Sequence, residues 1–99
     1  MDLSGWGTSN VTNMNQMFNS CRGLTSVGNL SGWDTSNVTD MSYMFSICSS
    51  LTSIKVSSTK WSTAKVTSGD RMFYDCTALP NYDSSYVDHT YCSRYMTFV

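Results

Sequence analysis

The sequence predicts an α/β solenoid. About three short coils should form one domain, each with one strand and one short helix, with the strands in a single parallel sheet and a tyrosine-rich C-terminal cap at one end. Three observations predict this: an internal repeat of 27 and then 28 residues, an alternation of helix-type and strand-type spacing within each repeat, and a composition poor in helix formers.

The repeat is legible by eye. Leu3 to Phe18 reads LSGWGTSNVTNMNQMF, Leu30 to Phe45 reads LSGWDTSNVTDMSYMF, and Lys60 to Phe73 reads KWSTAKVTSGDRMF as a weaker third copy. Equivalent residues form columns: Trp6, Trp33 and Trp61; Val11, Val38 and Val66; Met17, Met44 and Met72; Phe18, Phe45 and Phe73; Cys21, Cys48 and Cys76; Leu24, Leu51 and Leu79. A period of this length signals stacked units, in which one residue type recurs because it sits on its counterpart in the next coil, about 4.8 Å away if strands pair. The coils span roughly 3–29, 30–56 and 57–79 within a repeat region of 1–79, and the cap spans 80–99.

Within a copy, Met14, Met17, Phe18 and Cys21 stand at i, i+3, i+4 and i+7, and Met41, Met44, Phe45 and Cys48 repeat the pattern. That is the spacing of a helix. The polar Asn13, Asp40 and Ser68 stand ahead of it as capping residues would, and Gly69 replaces the first Met in the third copy. The following Leu51-Thr-Ser-Ile54-Lys-Val56 has the LxxLxL spacing of a leucine-rich-repeat strand. The Thr-Ser-Asn-Val-Thr tracts at 8–12 and 35–39 read as the return path. Inward positions should therefore be Val11, Met14, Met17, Phe18, Cys21, Leu24, Val27 and their equivalents through Leu79.

Composition agrees. The 99 residues include 18 Ser and 12 Thr but no Glu, two Ala and one Gln, so long helices are excluded. Net charge is -1, without the basic excess of a nucleic-acid binder. No apolar run reaches the length of a membrane span, and no stretch reads as a signal peptide.

The words LSGWDTSNVTDMSYMF and SSLTSIKV, joined through Cys48, closely resemble the BspA-like bacterial surface-protein repeats. This 26-residue-repeat family occurs in Listeria-type and mycoplasma lipoproteins. The resemblance covers nearly the whole chain. Here the repeats exceed 26 residues by one and two, with the extra residues around Gly28-Asn29 and Ser57–Thr59. The resemblance implies a leucine-rich-repeat-like fold, a place at the extracellular cell surface, and adhesion to a host or neighbouring-cell protein or glycan.

The Cys column reads as a ladder of reduced thiols, because stacked positions pointing the same way make poor disulfide geometry and no CxxC pair suggests zinc. Cys92, outside the column, reads as free; with His89 it is a remote candidate for a nucleophile pair, without an oxyanion hole. The Trp column reads as packing. Lys55, Lys60, Lys65 and Arg71 fall close together in sequence and, with the cap residues Tyr82 and Tyr86, form the candidate binding surface. No catalytic, metal or cofactor site is expected. A passive spacer is the alternative to a binding module. No cap precedes Leu3, so Met1 reads as the start of a unit excised from a longer array, and the open first coil offers a face for a homodimer.

Overall fold

The structure, a computed structural model, describes Leu3 and residues 5–99. Met1, on which the excised-unit reading rests, lies outside them. Strand β1 (Ser26–Leu30), strand β2 (Ser53–Val56), helix α1 (Cys92–Tyr95) and strand β3 (Thr97–Phe98) follow in chain order, and the three strands form one parallel sheet in the order β1-β2-β3. The alternation that makes β2 a strand is direct: Ile54 and Val56 point into the core, while Ser53 and Lys55 face solvent.

The extra residue of the first copy lies inside β1. Register runs Ser26↔Ser53 and then Asn29↔Lys55, with a bulge between, and Gly28 takes a positive φ of 76° there, a conformation that costs glycine little. The extra residues of the third copy make a polar turn in which Ser57 Oγ accepts from the Thr59 and Lys60 N–H groups.

The helix expected in each copy is absent, and this is a correction. Residues 14–21, 41–48 and 69–76 are runs of tight turns. Met17, Cys21 and Leu24 donate three residues back, to Met14, Phe18 and Cys21, and Met44, Cys48 and Leu51 do the same. Successive three-residue turns bring the same positions inward that a helix would, so the spacing alone does not separate them. The turns stay turns because of left-handed residues in two columns: Gln16, Tyr43 and Arg71, then Ser20, Ile47 and Asp75, all with φ between 53° and 64°. A left-handed residue breaks the i→i+4 ladder of a helix. It turns alternate N–H groups outward instead: Met14, Gln16, Phe18 and Ser20 donate to the carbonyls of Asp40, Ser42, Met44 and Ser46. Met41, Tyr43, Phe45 and Ile47 donate likewise to Ser68, Asp70, Met72 and Tyr74. The polar residues ahead of these runs cap turns: Asn13 and Asp40 accept from the N–H two residues on.

The core follows the columns. Phe18, Phe45 and Phe73 stack nearly parallel, with centroids 5.3 and 5.9 Å apart. Burial is complete in the middle copy, at Trp33, Val38, Met41, Met44, Phe45, Cys48 and Leu51. It is only partial for Val11, Met17, Cys21 and Leu24 of the first copy, which have neighbours on one side alone. The Trp column departs from its expected core role at one end: Trp6 is 52% exposed, although its ring lies 6.0 Å from the buried Trp33.

The third strand also comes from an unexpected place. No strand follows Leu79, where Pro80 has no N–H to give and Asn81 is left-handed. Residues 97–98 take the position instead, pairing with Lys55 and Val56. The cap thus completes the sheet. It also ends the ring stack, where Tyr95 lies 5.0 Å from Phe73 at a tilt of 56°, its hydroxyl donating to the Tyr86 carbonyl.

Gly69 explains how the cap seats. In the first two copies its column holds Met14 and Met41; here the His89 ring lies where a side chain on Gly69 would begin, and His89 N–H donates to the Gly69 carbonyl. Gly69→Ala should therefore lower stability by about 1–3 kcal/mol, the cost of overpacking. The companion change His89→Ala should remove most of that penalty in a double-mutant cycle of thermal unfolding. Additive effects would show that the ring and the glycine are not coupled.

Candidate functional site

The residues expected to form one basic surface are held on different parts of the molecule. Lys55 sits on the exposed side of β2, in register between Asn29 and Thr97. Lys60 is exposed at the turn after β2, on the side of Asp34. Lys65 donates to Oδ1 of Asn37, its counterpart on the return path one copy back, at 3.0 Å. Arg71 lies in the turn segment, its guanidinium 5.7 Å from the Tyr74 ring. Lys55 and Arg71 thus stand on different segments, the sheet and the turn run.

The two cap tyrosines do different jobs. Tyr82 is half-buried, and its hydroxyl accepts from the Asp75 N–H at 2.8 Å, closing a donor that a further copy would otherwise take. Burial pushes the Tyr82 hydroxyl pKa upward. Tyr86 is exposed and belongs to an aromatic cluster: the Tyr91 ring is 4.8 Å away and the Arg94 guanidinium 5.0 Å away. Arg94 is held there by a hydrogen bond to the Asn81 carbonyl. The cation–π contact of Arg94 fixes an amphipathic surface in one geometry. Nothing in the sequence singles out Arg94 or Tyr74, whereas Tyr95 belongs to the tyrosine-rich segment 80–99.

A second concave feature lies at the opposite end. Trp6, Val11, Met14 and Met17, with Asn13 and Asn15, line a groove of about 290 Å³ in the first copy. This approaches the lower bound of ligand-sized pockets.

The cysteines form a ladder. All four are free, and Cys48 and Cys76 donate their thiols to the carbonyls of Phe18 and Phe45, at 3.0 and 2.9 Å. Burial pushes the Cys48 thiol up to about 11 and the Cys76 thiol up to about 12. Cys92 is buried against the Met72 sulfur, 4.0 Å away, and burial also raises it to about 12. The Trp61 indole N–H acts against that rise, at a geometry short of a hydrogen bond: Trp61 Nε1 has no partner. A thiol this reluctant to ionise is a poor nucleophile at neutral pH. His89 does not remedy it, since its Nδ1 is buried without a partner and its ring packs on Gly69. Among the described residues no cluster of His, Cys, Asp or Glu could hold a metal ion.

Polar side chains join successive copies. Thr39 and Thr67 donate to the carbonyls of Thr12 and Thr39, and Thr52 to that of Thr25, each one copy back. The buried Thr8 and Thr35 each exchange two hydrogen bonds with the next copy, at Asp34 and Ser62. Hydrogen bonds from Ser36 and Ser42 lower the carboxyl pKa values of Asp34 and Asp40.

A family model matches residues 1–97. The chain belongs to DUF285, a family described as Mycoplasma protein of unknown function. No curated protein and no solved structure matches it. No helix among the described residues of this DUF285 chain is long and apolar enough to cross a membrane.

The thiols make the arrangement testable. The folded DUF285 chain holds thiol protons that the unfolded chain releases above about pH 8.5, so the unfolded state binds fewer protons and stability falls as pH climbs. The melting temperature should hold steady between pH 7 and 8 and decline from about pH 9 toward 11, less steeply in Cys48→Ala. At neutral pH, iodoacetamide should label only Cys21 in the native protein and all four thiols after denaturation. Rapid native labelling of Cys48, Cys76 or Cys92 would contradict the ladder.

Proposed function

We propose that the chain is a non-enzymatic repeat module of a bacterial cell-surface protein, and that it binds a host or neighbouring-cell macromolecule through its C-terminal end. In this reading the three copies are the coils of a BspA-like, leucine-rich-repeat-like solenoid, and residues 80–99 are its terminal cap. The stacked Phe, Cys and Thr columns support the solenoid. Membership in DUF285 is compatible with a surface module. The buried, un-ionised thiols support an absence of catalysis.

One observation carries the binding role. A spacer repeats the same surface coil after coil, whereas here the exposed non-repeating chemistry gathers after the second coil. Tyr74 is 47% exposed beneath Arg71, and Tyr86 is 37% exposed beneath Arg94. The corresponding positions of Tyr74 in the earlier coils are Asn19 and Ser46, which are polar and small. Exposed aromatic rings flanked by arginine are the residue types that dominate binding hot spots. The passive spacer is the second reading, supported by the repeated Thr12, Thr39 and Thr67 column.

Immobilised host-cell glycoproteins and glycans provide the test. The chain should bind a subset of them, and the double variant Tyr74→Ser/Tyr86→Ser should bind at least about tenfold more weakly, the loss of one modest hot spot. Its melting temperature should stay close to that of the parent. Equal binding by the variant, or no binding by either, would favour the spacer. Antibody labelling of intact cells should detect the parent protein at the surface.

A further inference from the structure

The two ends of the stack differ in hydrogen-bonding sense, and the difference defines what fits the open one. In the turn segments every inter-coil backbone bond runs the same way, an N–H of one coil donating to a carbonyl of the next, while the Cys48 and Cys76 thiols donate one coil back. The cap closes two of the four donors in the last row, those of Phe73 and Asp75. Phe73 N–H donates to the Val87 carbonyl and Asp75 N–H to the Tyr82 hydroxyl. The first row of acceptors is not closed. By column, the carbonyls of Asp40, Ser42, Met44 and Ser46 correspond to those of Asn13, Asn15, Met17 and Asn19. Among the described residues nothing donates to these four.

From Met14 to Ser20 the stretch has no donor left over; among the described residues Asn13 N–H, whose counterparts Asp40 and Ser68 donate one coil back to Thr12 and Thr39, is the one open donor beside it. Met14, Gln16, Phe18 and Ser20 N–H groups go to the second coil, Asn15 N–H goes to Asn13 Oδ1, and Met17 and Asn19 N–H groups close turns. The edge from Met14 to Ser20 is therefore acceptor-only in its backbone. Beside it lie the groove of about 290 Å³ and the exposed face of Trp6, whose column-mates Trp33 and Trp61 are 0% and 8% exposed.

We infer that this face is the seat of one further coil of the same repeat, presented by its donor edge. The rest of this inference rests on the solenoid reading and not on any adhesive role. The occupant is identified by continuity with the two coil–coil interfaces already present. It must offer N–H groups at alternate residues, held outward by left-handed residues as at Tyr43 and Ile47. It must also bring a Met-Phe pair over Met17 and Phe18, and an aromatic ring over Trp6. A second copy of this chain does not meet the demand. Its donor edge is covered by the cap, which takes the Phe73 and Asp75 N–H groups, and its open edge would set carbonyl against carbonyl, leaving buried acceptors unpaired. The homodimer expected from the open first coil is thus disfavoured by the direction of the ladder.

The test adds the coil. A copy of residues 30–56, carrying W33F within the added copy, is joined directly ahead of Leu3, which preserves the 27-residue step. A control chain carries the same residues scrambled. The added coil should raise the melting temperature by about 5 °C or more over the control, as a nearest-neighbour stack requires. It should also shift the tryptophan emission to shorter wavelength and protect Trp6 from acrylamide. The unextended chain should sediment as a monomer with Trp6 open to quenching. Equal melting temperatures in extended and scrambled chains, or a rise without protection of Trp6, would overturn the inference. So would an unextended dimer with Trp6 already shielded. Glycoprotein binding lost while the coil still stacks would indict the adhesive role alone.

Discussion

The hydrogen bond from a turn N–H of one copy to a turn carbonyl of the next is the interaction on which the rest depends. It recurs at Met14, Gln16, Phe18 and Ser20 and again at Met41, Tyr43, Phe45 and Ile47. It exists only because six non-glycine residues accept a left-handed backbone, including the β-branched Ile47. Such conformations cost of order 1 kcal/mol or more each and persist where the surroundings over-determine them. Here the surroundings are the Phe18, Phe45 and Phe73 stack and the thiols of Cys48 and Cys76 bonded beneath it. Phe and Cys columns face the core because the turns place them there, and the turns are held because the columns pack.

The abundance of Ser and Thr follows from the same constraint. A chain that turns every few residues leaves many backbone groups outside regular ladders, and each must find a partner. Thr39, Thr52 and Thr67 hydroxyls bond the carbonyls one copy back, while Asn13, Asp34, Asp40, Asp83 and Asp88 cap the N–H two residues on. Glutamate is too long for that local turn, which agrees with its absence.

Much of the arrangement was legible in the sequence. The period, the inward columns, the bulge near Gly28 and the thiol ladder could all be read from recurrence, because stacking demands identity at each step. The helices were misread for a physical reason: Met14, Met17, Phe18 and Cys21 face inward at helical spacing through consecutive turns. No glycine marks the left-handed positions; Gln16, Tyr43 and Arg71 share a conformation without sharing a chemistry. The missing strand after Leu79 was signalled by Pro80, but its replacement by Thr97–Phe98 depends on how the cap folds back. Lys55 lies on the sheet and Arg71 in the turn segment, a separation that distance along the chain does not show. Gly69 in a methionine column was a readable vacancy, although nothing local pointed to His89 as its occupant.

The central claim is the direction of the inter-copy ladder. NMR couplings across hydrogen bonds test it most directly, since they pair each donor nitrogen with its acceptor carbonyl. The account predicts couplings from Phe18 N to the Met44 carbonyl carbon and from Phe45 N to that of Met72, with slow amide exchange at both donors. Couplings from Phe18 to Met14 and from Phe45 to Met41, the partners a helix would use, would contradict it.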